Sequence, residues 1–338
     1  MYKISKKSEY FLYKYLNAYS PTGNEVDAQK IWMKYIEQYS DSIETDNYGT
    51  VVGVINKKNT FKIVIEAHVD EMTWYVNYIT DDGIIYVARN GRTDHQIAHS
   101  KRVNIHTKNG IIDGLFVGPA IHTRKITPTF IDIGASNKKE VENLGVNVGC
   151  MVTYPDDFFI MNNKYFVGRA LDNKIGGFII AEVMRLIKEK KVVLPYGLYV
   201  INSVQEEGAI SNNINPNIAI ITDVCHDTST PMIEKKINGD VKCGLGPVIN
   251  YSPSIHNNLR EQIIFIANKN NLSFQRLVSP IWTDAYYNNG VISALISIPI
   301  RYMNTTVEMA NKKDIENCIH LMFEILKNID INENFKYL

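Results

Sequence analysis

Four apolar, β-prone runs in this chain each hand over, at or just past the carboxyl end, to a residue able to bind a metal or move a proton. Lys62–Ala67 leads into His68, with Asp70 and Glu71 beyond, and Tyr196–Val204 leads into Gln205, Glu206 and Glu207. Ile218–Thr222 leads into Asp223, and Ala294–Ile300 leads through Arg301, Tyr302 and Met303 into Asn304. In open α/β sheets ligands bind outside the carboxyl ends of the strands, where residues distant in sequence converge. The pattern predicts an α/β fold built around one polar, metal-filled site.

The flanking segments fill in the architecture. Helical spacing of Ala28, Ile31, Trp32, Tyr35 and Ile36 predicts a helix over Glu25–Tyr39 with Asn24 as N-cap. Val51–Ile55 and Lys62–Ala67, separated by the turn-like Asn56–Asn59, read as neighbouring strands. From Met72 to Lys164 the texture changes to short β-prone pieces: Trp74–Ile79, Ile84–Arg89, Val103–His106, Ile111–Phe116 and Met151–Tyr154, punctuated by glycines. That stretch predicts a small β-barrel or sandwich, residues 72–164, inserted into a host domain formed by 1–71 and 165–338. Ile175, Phe178, Ile179, Val183, Leu186 and Ile187 mark one face of a helix soon after the host resumes. A length of 338 residues suits two domains.

Charge narrows the function classes. Lys plus Arg and Asp plus Glu balance at 36 each, which gives no footing for nucleic acid or another polyanion. The polar, lysine-rich start is not of signal-peptide type and no run reaches membrane-spanning length, so the expected location is the cytoplasm, away from membranes. Cys150, Cys225, Cys243 and Cys318 lack metal-type or redox-type spacing and read as reduced thiols outside the site.

Each candidate also has a plain structural explanation. His68 alone would serve as a hydrogen-bonded structural histidine, but Asp70 two residues on is placed to orient a ligating ring. Glu206 and Glu207 could form a solvated rim. Neighbouring side chains in a strand diverge, however, so one glutamate can bind metal while the other moves a proton. Asp172 could merely cap the helix that it opens, and Asp223 could begin a turn.

Taken together the chain resembles the cytosolic cocatalytic metallo-aminopeptidases that assemble into tetrahedral dodecamers, the group of glutamyl and deblocking aminopeptidases. The resemblance spans nearly the whole chain and rests on Ser20–Glu25, Asp46–Gly49, Ala67–Glu71, Ile131–Ser136, Gly168–Gly176, Gln205–Glu207, Thr222–Val224, Thr283–Ala285 and Ile298–Met303. It implies a zinc-peptidase-like mixed sheet flanked by helices, with an inserted barrel that packs subunits into a homo-oligomer, dimers building toward a dodecamer. It further implies that His68 and Asp223 bind a first divalent metal, Asp172 bridges two, and Glu207 binds the second. Glu206 would be the general base, Asp70 the support of His68, and Thr283 and Asp284 part of the peptide-binding cleft. Zinc is the expected ion, with cobalt or manganese as alternatives and one or two ions per chain.

One position departs from the family. Where a histidine would serve the second metal, this chain has Asn304, a neutral oxygen donor poorer for zinc than imidazole. The loop Gly208–Asn213 also differs from the glycine-rich family version; His226, three residues after Asp223, and His256 could substitute, but nothing in the sequence brings either to Asn304, and both read as surface or turn residues. Two functions stay open: an aminopeptidase with a weakened second site, or a catalytically silent relative that serves as a peptide-binding or structural subunit. Glu206 and Asp70 argue for the first, Asn304 for the second.

Overall fold

The structure is a computed structural model that describes residues 2–91, 93, 95–117, 130–155, 157–206, 214–278, 290–333 and 335–337. It opens with α1 (Lys6–Asn17), α2 (Val26–Ile36), β1 (Ser42–Thr45), β2 (Val51–Ile55) and β3 (Lys62–His68). β4 (Thr73–Ile79), β5 (Ile85–Asn90), α3 (His95–Ala98), β6 (Arg102–Thr107), β7 (Gly110–Val117), β8 (Phe130–Asp132), α4 (Lys138–Asn143) and β9 (Met151–Thr153) follow. Then come β10 (Phe159–Met161), β11 (Tyr165–Gly168), α5 (Leu171–Glu189), β12 (Gly197–Ser203), β13 (Ile218–His226), α6 (Lys235–Asn238) and β14 (Val248–Tyr251). α7 (Asn257–Lys269), β15 (Gln275–Val278), β16 (Ile292–Arg301), β17 (Glu308–Asn311) and α8 (Lys312–Asn328) complete the chain.

A mixed sheet in the order β1-β2-β12-β3-β13-β16-β17-β11-β10 forms the body, with β14 and β15 attached beside β16. Its centre, β12-β3-β13-β16, is parallel throughout. Parallel strands are covered on both faces, which is why these four read as unbroken apolar runs rather than alternating ones. In β3, Ile63, Ile65 and Ala67 join the main core with α5, while Val64 joins the cluster of Tyr199, Ile201, Ile221 and Leu295. The apolar face predicted for α5 is buried throughout. Trp32, fully buried on α2, donates its indole N–H to the Gly177 carbonyl of α5 and so fixes one helix on the other.

Two expectations need correction, and one plain alternative falls away. β2 and β3 are not neighbours: the Asn56–Asn59 turn leaves a strand-wide slot, and β12 fills it, antiparallel to β2 and parallel to β3. Helix α2 starts at Val26 and gives way to a 3-10 turn over Glu37–Tyr39, and its N-cap position belongs to Glu25, not Asn24. Asp223 does not begin a turn, because β13 continues to His226 beside β16.

The stretch after β3 closes into an antiparallel barrel, β4-β5-β8-β7-β6-β9, around Trp74, Ile85, Val103, Phe116 and Val152. Phe159–Met161, within the range assigned to the insertion, pairs with β11 in the main sheet. Among the described residues no helix is long and apolar enough to cross a membrane.

Candidate metal centre

Parallel pairing sets the stage for the site. Ser203 of β12 lies opposite His68 of β3, and β13 carries Asp223 past the same edge. His68 Nε2 lies 3.5 Å from Asp172 Oδ1 and 4.0 Å from Asp223 Oδ1. The three side chains place one donor atom each within 4.8 Å of one another.

Asp172 reaches the group because the chain bends there. Ala170 has φ 57°, and Asp172 and Asn173 lie off helical geometry before α5 settles into regular turns. Asn173 takes the capping role: its Oδ1 accepts the Gly176 N–H at 3.1 Å, and its Nδ2 donates to the Thr222 carbonyl at 2.7 Å. Asp172 is thereby released from the cap that the sequence also allowed. A Cβ on Gly176 would meet Asn173 Oδ1 at 2.4 Å and Ala67 Cβ at 2.9 Å, so only glycine lets this corner sit against β3.

Electrostatics favour a cation. Burial, then the charges of Asp172 and Glu206, push the Asp223 carboxyl up to about 7. Burial opposes the His68 imidazolium, yet Asp172 and Asp70 beside it hold its pKa well above the usual histidine range. Among the described residues no lysine or arginine pairs with Asp172 or Asp223; their ion-pair contact is His68. One imidazole and two carboxylates without a basic partner are a donor set that suits zinc, cobalt or manganese.

Asp70 stands behind the ring, its Oδ1 3.2 Å from His68 Nδ1 in a contact without the alignment of a hydrogen bond. The same oxygen accepts the Glu206 backbone N–H at 3.2 Å, and Oδ2 accepts the Thr22 hydroxyl at 3.0 Å. Glu206 and Asn304 line one cavity of about 60 Å³ with His68, Asp70 and Asp172, and Thr93, Ile97 and Tyr154 from the barrel region form another part of its wall. Glu207, Thr283, Asp284 and the loop Gly208–Asn213 lie outside the described residues. His226 lies near enough to Asp172 to feel its charge without joining the three-residue group. His256 stacks on Tyr337, with ring centroids 4.4 Å apart.

Sequence reasoning missed Glu308. This buried residue accepts the Asp172 N–H through Oε2 at 3.0 Å and the Asn304 N–H through Oε1 at 2.8 Å. A single glutamate ahead of Met309 and Ala310 gives no signal for such a role. It also missed the use of the Glu25 side chain, although Glu25 ends one of the motifs quoted above, and the clamp on Glu71. Glu71 pairs with Arg169 and with Lys174 Nζ at 3.4 Å, all three side chains being buried. Burial opposes the Glu71 charge, but Arg169 and Lys174 hold its pKa down at about 2.

An imidazole and paired carboxylates beside a further glutamate over a shared cavity are the equipment of a metal-dependent hydrolase. Comparison narrows the class: residues 49–321 match the M42 glutamyl aminopeptidase family, and the chain belongs to that family of metallo-aminopeptidases. The lysyl aminopeptidase of Pyrococcus furiosus is 27% identical over 316 residues, covering 87% of this chain and 89% of the relative. The TET aminopeptidase of a marine-sediment Thaumarchaeota archaeon superposes with a TM-score of 0.90 at 27% identity, covering 96% of this chain and 97% of that one. PhTET1-12s, solved as a dodecamer, gives a TM-score of 0.84 at 25% identity, covering 96% of this chain and 100% of the other.

Proposed function

We propose that this chain releases amino-terminal residues from peptides, with Glu206 as general base and His68, Asp172 and Asp223 as the ligands of a tightly held divalent metal. The observation that carries the reading is the meeting of those three donors within 4.8 Å of one another, with two of them, His68 and Asp172, lining one cavity together with Glu206. A metal ion held there would polarise the scissile carbonyl and acidify water at neutral pH. Glu206 takes the proton of the attacking water as the new C–O bond forms, then delivers it to the leaving amine as the C–N bond breaks. Asp70 keeps His68 in place and anchors the backbone of Glu206.

Glu207 and Asn304 would serve a second metal, more weakly than a histidine in place of Asn304 would allow. Thr283 and Asp284 would line the cleft for the peptide. The barrel, residues 72–164 in the proposed division, would pack subunits into a homo-oligomer, as a dodecameric neighbour of the same fold suggests. Four free cysteines fit residence in the cytoplasm. Asn304 at the cavity favours the second reading, a silent peptide-binding subunit.

The test is Glu206→Gln on the purified chain, assayed on a mixed peptide pool with zinc, cobalt or manganese added. Loss of hydrolysis by about 100-fold to 10,000-fold at unchanged metal content supports the base. A wild-type chain inactive under all three metals would favour the silent reading instead.

A further inference from the structure

The segment Ser20–Glu25 supplies neither a proposed metal ligand nor the proposed base, yet it packs against the residues that do, and its Thr22 lines the same cavity. Its backbone is tied to the strand end that carries His68: Glu71 N–H donates to the Ser20 carbonyl at 2.9 Å, and Thr22 N–H to the Glu71 carbonyl at 3.2 Å. Glu25 then departs from its local role. It occupies the N-cap position of α2 but makes no side-chain bond to that helix. Its carboxylate, 2% exposed, instead accepts Gly23 N–H at 2.7 Å and Gln205 N–H at 3.2 Å, both through Oε1.

The Gln205 amide needs that acceptor. β12 ends at Ser203, so beyond it the strand ladder no longer supplies partners, and the part-buried Gln205 N–H must find its acceptor elsewhere. Gln205 has φ 55°, a conformation that a non-glycine residue keeps only where its surroundings hold it. The next amide, that of Glu206, goes to Asp70, which in turn is held by the Thr22 hydroxyl. Consecutive amides leading into the base are thus gripped by two carboxylates, one belonging to the Ser20–Glu25 segment and one steadied by it.

We propose that Glu25 and Thr22 are positioning residues that aim Glu206 at the cavity, Glu25 directly through Gln205 and Thr22 through Asp70. The proposal rests on Glu206 being the base. It needs an acceptor oxygen at position 25 and not a negative charge, since a single oxygen makes both bonds. The conservative amide should therefore do the work of the acid.

The test compares Glu25→Ala, Glu25→Gln and Thr22→Val with wild type, measuring kcat, KM and bound metal. Misplacing a catalytic group by about 1 Å can cost about 100-fold, so Glu25→Ala should lower kcat by about 10-fold to 100-fold. KM and metal equivalents should stay near wild type, and Glu25→Gln should recover most of kcat. A wild-type kcat in the alanine variant, a glutamine variant as slow as the alanine one, or metal lost in step with activity would each overturn the proposal. If Glu25→Ala does not fold, Thr22→Val decides: a lower kcat at unchanged KM and metal supports the aiming role, and an unchanged kcat overturns it. Full activity in Glu206→Gln removes the base reading itself. An inactive Glu206→Gln beside a fully active Glu25→Ala removes this inference alone.

Discussion

Glu308 and Asp172 are joined by a 3.0 Å hydrogen bond from the Asp172 N–H to Glu308 Oε2, so the backbone of a proposed metal ligand hangs on a buried carboxyl group 136 positions further along the chain. The other oxygen holds the Asn304 N–H, and Asn304 itself has φ 65°. One side chain thereby spaces two walls of the cavity. Burial, then the charge of Asp172, raises the Glu308 pKa well above the usual carboxylate range.

Glu308→Gln should loosen that spacing. An amide has one acceptor oxygen and turns an NH2 toward the second backbone N–H, leaving a buried donor unpaired at a cost of about 1–3 kcal/mol. Urea unfolding should register that loss, and chelator competition should show metal held more weakly. Unchanged values in both would mean that the two backbone bonds are dispensable.

Asn304→His should add a metal. Elemental analysis after dialysis against a weak chelator is expected to rise from about one equivalent toward two, with faster peptide hydrolysis, because imidazole is a strong donor for a zinc-type ion. Two equivalents already present in the wild type would mean that another residue supplies the missing ligand, with His226, close to Asp172, the first to replace.

Metal affinity should climb with pH. The Asp223 pKa is raised from 3.8 to about 7 in the folded, metal-free chain. Its contribution to the stability of that state is fully present below 3.8 and lost as pH rises through about 7. Metal binding must displace this proton, and the imidazolium of His68 as well. Titration at pH 6 should therefore give affinity at least about tenfold weaker than at pH 8; a flat profile would count against these ligands.

The Glu71 clamp makes an opposite pair of contributions. Glu71, lowered from 4.5 to about 2, stabilises the fold above 4.5, and that contribution is lost as pH falls toward 2. Lys174, lowered by burial from 10.5 to about 8 despite Glu71, costs stability below 8 by a similar amount, so the cluster nears break-even at neutral pH. Glu71→Gln strands two buried cations and should cost about 3–5 kcal/mol in denaturant unfolding at pH 7. The gap to wild type should narrow as pH falls from 4.5. A loss below about 1 kcal/mol would show that Arg169 and Lys174 find other partners.

What the sequence revealed divides along physical lines. The central strands were readable because burial on both faces writes a continuous apolar run, and His68 and Asp223 because they follow or sit in such runs. Strand order was not: nothing in Val51–Ile55 or Lys62–Ala67 records that β12, more than a hundred residues later, slots between them. Likewise Glu25 and Glu308 act through backbone amides of distant segments, and an acceptor role toward a backbone leaves no mark on the identity of its partners. Asp172 was found through a motif, while the reason that it is free, the cap supplied by Asn173, required coordinates.

The Glu71–Arg169 pair bolts together the two points where the chain leaves for the barrel and comes back, 98 positions apart. The excursion has its own core around Trp74, Ile85, Val103, Phe116 and Val152, and each doubling of a flexible connection within it costs only about 0.6 kcal/mol. Connections between its strands can therefore lengthen or shorten while His68, Asp172 and Asp223 keep their spacing. Because Thr93, Ile97 and Tyr154 line the cavity while Tyr75 and Asn90 donate to the Thr22 carbonyl, a change in the barrel would reshape one wall of the cavity and reach the support of Asp70 as well.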